Sequence, residues 1–189
     1  MLLVLFTIFT IRAESNHDFG SKLAHAGESI VDPNIVYDPS YIQLPYPNGD
    51  VPAHTGVCTD VIIRAYRKLG IDLQKEVHED IKNNRLQYPN IKKPDRNIDH
   101  RRVPNLGRFF ARHGTTLSTK REAKKYRPGD IVWWKLGGPK GINHIGLVVQ
   151  TRSKDGQRPL VLHNIGGGQV VEDILFSHHI HKHYRYTSK

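Results

Sequence analysis

The chain has 189 residues, 38% of them hydrophobic, with 11 Pro and 16 Gly. That suits one compact domain and excludes a multi-span membrane protein. The formal charge of +10 favours an anionic partner. The basic residues are not interleaved with aromatics, which argues against nucleic acid.

Residues 2–11 read LLVLFTIFTI. This apolar run is too short to span a bilayer and matches the core of a secretory signal, with Ala13 closing the cleavage site. Residues 1–13 therefore read as a signal peptide and 14–189 as one domain, with 14–45 as an N-terminal extension. The mature protein is expected to be periplasmic or secreted, monomeric, and not stably inserted in a membrane. Cys58 is the sole cysteine, so no internal disulfide can form.

A short helix is expected around 22–30. Residues 32–55 carry five prolines and form an extended approach segment. Val57, Val61, Ile62, Ala65, Tyr66 and Leu69 recur at helical spacing, predicting a helix over 57–69 with Gly70 as its stop. Further helices are expected over 72–85 and 103–113, separated by an irregular loop. The period then changes. Pro128-Gly129-Asp130 is a turn, and strands are predicted at 131–134, 144–149 and 159–164, with short ones near Val170 and at 184–186. The fold class is α+β: N-terminal helices packed on an antiparallel sheet.

Cys58 opens the first long helix. The unpaired amides and dipole there stabilise a thiolate, lowering a thiol pKa from about 8.5 toward about 3.5–7.5. The same helical stripe also suits a buried, inert cysteine. His144 starts an apolar strand and is expected on the helix-covered face, within reach of the sulfur as its base. His163, near the end of the next strand, or its neighbour Asn164, could hold the second imidazole nitrogen; a one-residue register change exchanges them.

Thr55-Gly56-Val57-Cys58-Thr59-Asp60, then Pro128-Gly129-Asp130-Ile131-Val132-Trp133, then His144-Ile145-Gly146-Leu147-Val148 together resemble the NlpC-type, papain-like cell-wall peptidases. The segments Val57–Arg67, Asn97–Leu106 and Leu162–Gly166 resemble, more closely, a bacterial family catalogued as domain of unknown function 1287. The resemblance implies a papain-like fold and a cysteine hydrolase with Cys58 as nucleophile, His144 as base and His163 as orienting group. It also implies an amide substrate, in peptidoglycan or another anionic envelope polymer. It places Tyr46 near the nucleophile. The flanking Val57 and Thr59-Asp60 differ from the Asp-Cys-Ser-Gly of those peptidases, so the subsite around the sulfur is this chain's own. Hydrolysis of another amide or a thioester, or an inert wall-binding module, are the alternatives.

Asp60, in the same turn as Cys58, joins the candidate substrate contacts. Asp99-His100-Arg101-Arg102 could line a substrate groove, the arginine forks suiting a carboxylate. His178, His179, His181 and His183 cluster near the C-terminus, and on a regular strand 179, 181 and 183 would point one way. No carboxylate or Cys accompanies them, so neither a metal nor a cofactor is expected.

Overall fold

A computed structural model describes residues 18–187; the expected signal segment lies outside them. The helices are α1 (residues 18–28), α2 (Cys58–Lys68), α3 (Leu73–Asn83) and α4 (Val103–His113). The strands are β1 (Val36–Tyr37), β2 (Thr55–Gly56), β3 (Thr115–Thr116), β4 (Ile131–Leu136), β5 (Ile142–Arg152), β6 (Pro159–His163), β7 (Val170–Glu172) and β8 (His179–Arg185). β1 and β2 form a small parallel pair. The rest build an antiparallel sheet in the order β3-β8-β4-β5-β6-β7. Helices precede strands and the class is α+β, as the change of period predicts.

The pleat divides the sheet into two faces. Ile131, Trp133, Ile145, Leu147 and Leu162 pack with Cys58, Val61, Ile62 and Ala65 on the helix-covered face. Val132, Trp134, Val148 and Val161 point the other way, onto Tyr126 and Leu175. The segment read as an N-terminal extension is part of this architecture. Leu23 and Ala24 of α1 are fully buried. A side-chain carbon at Gly20 would come within 2.6 Å of the Pro128 carbonyl oxygen, so α1 rests directly on the Pro-Gly-Asp turn. At the far end of α1, Glu28 accepts the backbone N–H and hydroxyl of Thr151 on β5.

That turn delivers Asp130 into the interior. Its carboxylate accepts the Arg127 amide at 2.9 Å and both Nε and Nη2 of Arg185 at 2.7 and 2.9 Å. It also contacts His183 Nε2 at 2.8 Å. Asp130 therefore ties the start of β4 to the end of β8. A register shift on β8 opposite Trp133 and Trp134 breaks the alternation of the C-terminal histidines. His181 lies edge-on to Trp133 on the helix-covered face, whereas His183 stacks on Tyr126 beneath the other. They do not share a direction, and among the described residues no group of three ligands could hold a metal. No helix among these residues is long and apolar enough to cross a membrane.

Removing the Asp130 carboxylate strands Arg185 and the Arg127 amide. Asp130→Ala is expected to cost about 3–5 kcal/mol, the range for breaking a buried pair from one side. Urea unfolding measured against the unaltered protein checks this.

Candidate active site

Asp60 shapes the site before any catalytic group is considered. One of its oxygens accepts the Val57 backbone N–H at 2.7 Å, closing the N-terminus of α2. Both oxygens are held by Arg101, through Nε and Nη2, each at 2.9 Å. Thr59 Oγ1 donates to the Arg101 carbonyl at 3.1 Å. The first turn of α2 is thereby fixed to the short turn Asp99–Arg101, and Cys58 is the first residue of the helix so anchored.

The sheet supplies the other half. Val148 exchanges backbone hydrogen bonds with Gly129 and Asp130, so the amides of even-numbered β5 residues face β4. Those of the odd-numbered residues face β6. β6 pairs through Leu147↔Leu162 and ends at His163, so the Ile145 amide points past its end. The Cys58 sulfur lies against that amide. Asn164, which would have continued the pairing, instead donates from Nδ2 to the Gly56 carbonyl at 3.2 Å.

His144 leaves the sheet on the face opposite the helices, which differs from the expected placement. It is paired with Trp134 across the ladder and stacks on that indole with ring centres 5.9 Å apart. The Cys58 sulfur meets the amide of Ile145, the residue that follows His144 in β5. His144 Nε2 lies 3.1 Å from His163 Nδ1, and His163 Nε2 lies 2.9 Å from Glu172 Oε2. It is His163, not Asn164, that touches His144. The carboxylate can only accept, so His163 carries its proton on Nε2. Burial lowers the His163 pKa and keeps the ring neutral, leaving its Nδ1 to accept from His144 Nε2–H. The proton of His144 is thus on Nε2, and its Nδ1 is the basic nitrogen. Among the described residues that nitrogen makes no hydrogen bond.

A family model described as "Domain of unknown function (DUF1287)" matches residues 24–186. The chain belongs to this family. It is 46% identical over 186 residues to "Uncharacterized protein YijF" of Escherichia coli (strain K12), a match covering 97% of this chain and 87% of that protein. No solved structure matches it.

Within this DUF1287 domain, Cys58 opens into a cleft walled by Tyr37, Pro39, Val57, Arg102 and Asn143. Only Arg102 of the expected Asp99–Arg102 groove is exposed. Arg101 and Asp60 satisfy each other. Asp99 is buried and accepts the Asp95 amide, and desolvation raises its pKa to about 6. His100 is 2% exposed, with burial pulling it down to about 4. Arg101 lines the cleft but is committed to the anchor of α2, whereas Asp99 and His100 are buried in the turn that carries it. Tyr46 lies elsewhere, edge-on to His78 and beneath Arg96.

Sequence reasoning missed Tyr37, Asn143 and Glu172. Tyr37 reaches the cleft because β1 pairs with β2 immediately before Cys58. Its hydroxyl pKa is raised by burial first and by the neighbouring Cys58 second. Asn143 accepts Trp133 Nε1–H at 3.0 Å. Glu172 follows the Gly-rich turn after His163, and its two-residue offset from Val170 is the signal that could have placed it beside His163.

The resting charge state also departs from expectation. The amides of Ile145, Thr59 and Cys58 favour a thiolate, as a helix start should, but desolvation is larger and pushes the thiol up to about 11. Burial, then the neighbouring His163, pulls His144 down to about 3. The resting pair is therefore thiol and neutral imidazole. Iodoacetamide is expected to label the folded protein slowly at pH 7, at a rate rising with pH toward about 11. The urea-unfolded chain should label with the ordinary midpoint near 8.5. Fast labelling of the folded form at pH 7 would contradict this charge state.

Proposed function

We propose that this domain has a papain-like, NlpC-type fold and is a cysteine hydrolase that cleaves an amide bond in the bacterial envelope, with peptidoglycan stem peptides as the substrate class. The observation that carries the reading is the aligned set Glu172, His163 and His144, with His144 next in β5 to Ile145, whose amide meets the sulfur of a cysteine at a helix N-terminus that opens into a cleft. A purely structural cysteine has no need of a tautomer-fixing relay on the strand whose amide it meets. The basic surface suits an anionic polymer, and the apolar run before Ala13 supports export to the periplasm.

In this mechanism the thiol gives its proton to His144 Nδ1 as sulfur attacks the carbonyl carbon. The Cys58 amide at the start of α2 is available to the developing oxyanion. The carbon–nitrogen bond then breaks, and the amine departs with the proton returned by His144. Water, deprotonated by the same nitrogen, releases the acyl group from sulfur. Glu172 and His163 hold the ring and balance its transient charge.

The burial of Cys58 favours a second reading: an inert wall-binding module that retains the architecture without the chemistry. Incubation with purified peptidoglycan, followed by mass analysis of soluble fragments, separates the two. Hydrolysis predicts new amine and carboxyl termini, lost by about 10³-fold or more in Cys58→Ala. A binding module predicts sedimentation with the polymer and no fragments from either protein. Because the free site is neutral across a wide range, kcat/KM should stay flat through the physiological window. Its limbs should lie toward about 3, where His144 protonates, and toward about 11, where Cys58 ionises. A narrow bell centred near pH 6 would remove the neutral-pair mechanism. Glu172→Gln keeps the shape but frees the His163 tautomer, so kcat should fall by about tenfold or more with KM little changed.

A further inference from the structure

The cleft at Cys58 does not end at Asn143. Across Pro104, which lines both, lies a second hollow floored by Trp133 and Tyr184 and rimmed by Arg108, His181 and Lys182. The two are also coupled by the Trp133 Nε1–H to Asn143 Oδ1 hydrogen bond, whose donor belongs to the second hollow and whose acceptor belongs to the first. Gly107 makes the floor possible. A side-chain carbon there would sit 2.5 Å from the indole and 3.2 Å from the Tyr184 hydroxyl, so α4 lies directly against both rings.

The charge of this groove is one-sided. No Asp or Glu lines either hollow. Arg102, Arg108 and Lys182 are all exposed, and among the described residues none of the three makes an ion pair. Elsewhere Arg64, Arg67, Arg101, Arg112, Arg158 and Arg185 each bind a carboxylate, so the domain has acids to offer but places none at this groove. Unneutralised cations around an aromatic floor, with acids excluded from the walls, form a receptor for a carboxylate carried on an apolar or sugar-like body.

We propose that the Trp133 hollow is a carboxylate-binding subsite, in which Arg108 and Lys182 hold a free carboxylate of the substrate while the adjoining segment rests on Trp133 and its scissile amide lies at Cys58. The substrate class is then an acidic peptide with a free carboxylate on one side of the cleaved bond. This rests on the hydrolase reading for the direction of the groove, but binding alone tests it.

The probes are two acetylated tetrapeptides containing glutamate, one with its carboxylates free and one with every carboxylate amidated. They are titrated into the Cys58→Ala protein, which cannot turn over and so reports binding independently of cleavage. The free acid is expected to bind about tenfold or more tightly, the scale of one charge-assisted hydrogen bond. The preference should vanish in Arg108→Glu/Lys182→Glu and persist in Arg152→Glu on the far end of β5. The altered side chains are exposed, so circular dichroism should be unchanged. If a variant fails to fold, raising the salt concentration on the Cys58→Ala protein should erode the same preference. Equal binding of the two peptides, binding of neither, or a preference that survives the double reversal would each overturn the subsite. Failure of the hydrolase reading has a different signature: tight, carboxylate-dependent binding with no Cys58-dependent cleavage of peptidoglycan.

Discussion

The site depends on one buried carboxylate. Asp60 caps the backbone ahead of Cys58 and at the same time accepts both nitrogens of the Arg101 fork. Two segments 41 residues apart in sequence are joined by that contact. It decides where α2 begins and hence where the sulfur points. The guanidinium is nearly inaccessible and makes further contacts to the Ser40 and Asp38 carbonyls, so the approach segment bearing Tyr37 is gathered into the same knot. Removing either partner would leave the other charged in an apolar surround, which is far more costly than never having had the pair.

Around this anchor the domain sets electrostatic forces against one another. A helix start and three backbone amides favour a thiolate, yet the sulfur is protonated because it is almost dry. The imidazole is neutral for the same reason. A neutral pair avoids holding two charges in a low-dielectric pocket while nothing is bound. In the proposed mechanism the cost of separating charge falls in the step where sulfur would gain a carbon partner and the oxyanion an amide donor. The Glu172 carboxylate is half exposed, so it can be solvated at rest and still fix the direction of both rings.

The fold was largely legible because its elements obey simple periods. The stripe from Val57 to Leu69 and the apolar run after His144 could each satisfy only one kind of element, and the boundaries followed from Gly70 and from the Pro128-Gly129 turn. The placement of Cys58 at the head of α2 came from the same pattern. What the sequence could not show was two-dimensional. The face on which His144 leaves the sheet depends on which amides pair with β4. The separation of His181 from His183 depends on a bulge opposite Trp133. Asp99, His100 and Arg101 looked like groove residues because they are polar, and their burial becomes apparent only when Asp60 is seen to lie beneath them. Tyr46 and Tyr37 were equally plausible by type, and a two-residue parallel pairing chose Tyr37.

The dryness of the sulfur has a consequence outside catalysis. Peroxides and disulfides react with thiolates, so a thiol held near 11 is sluggish toward both. With no second cysteine anywhere in the chain, an oxidised Cys58 would have no internal partner to resolve it and would proceed toward irreversible acids. Burial at the end of β6 therefore acts as chemical armour: by holding the sulfur as a thiol it slows attack on small oxidants.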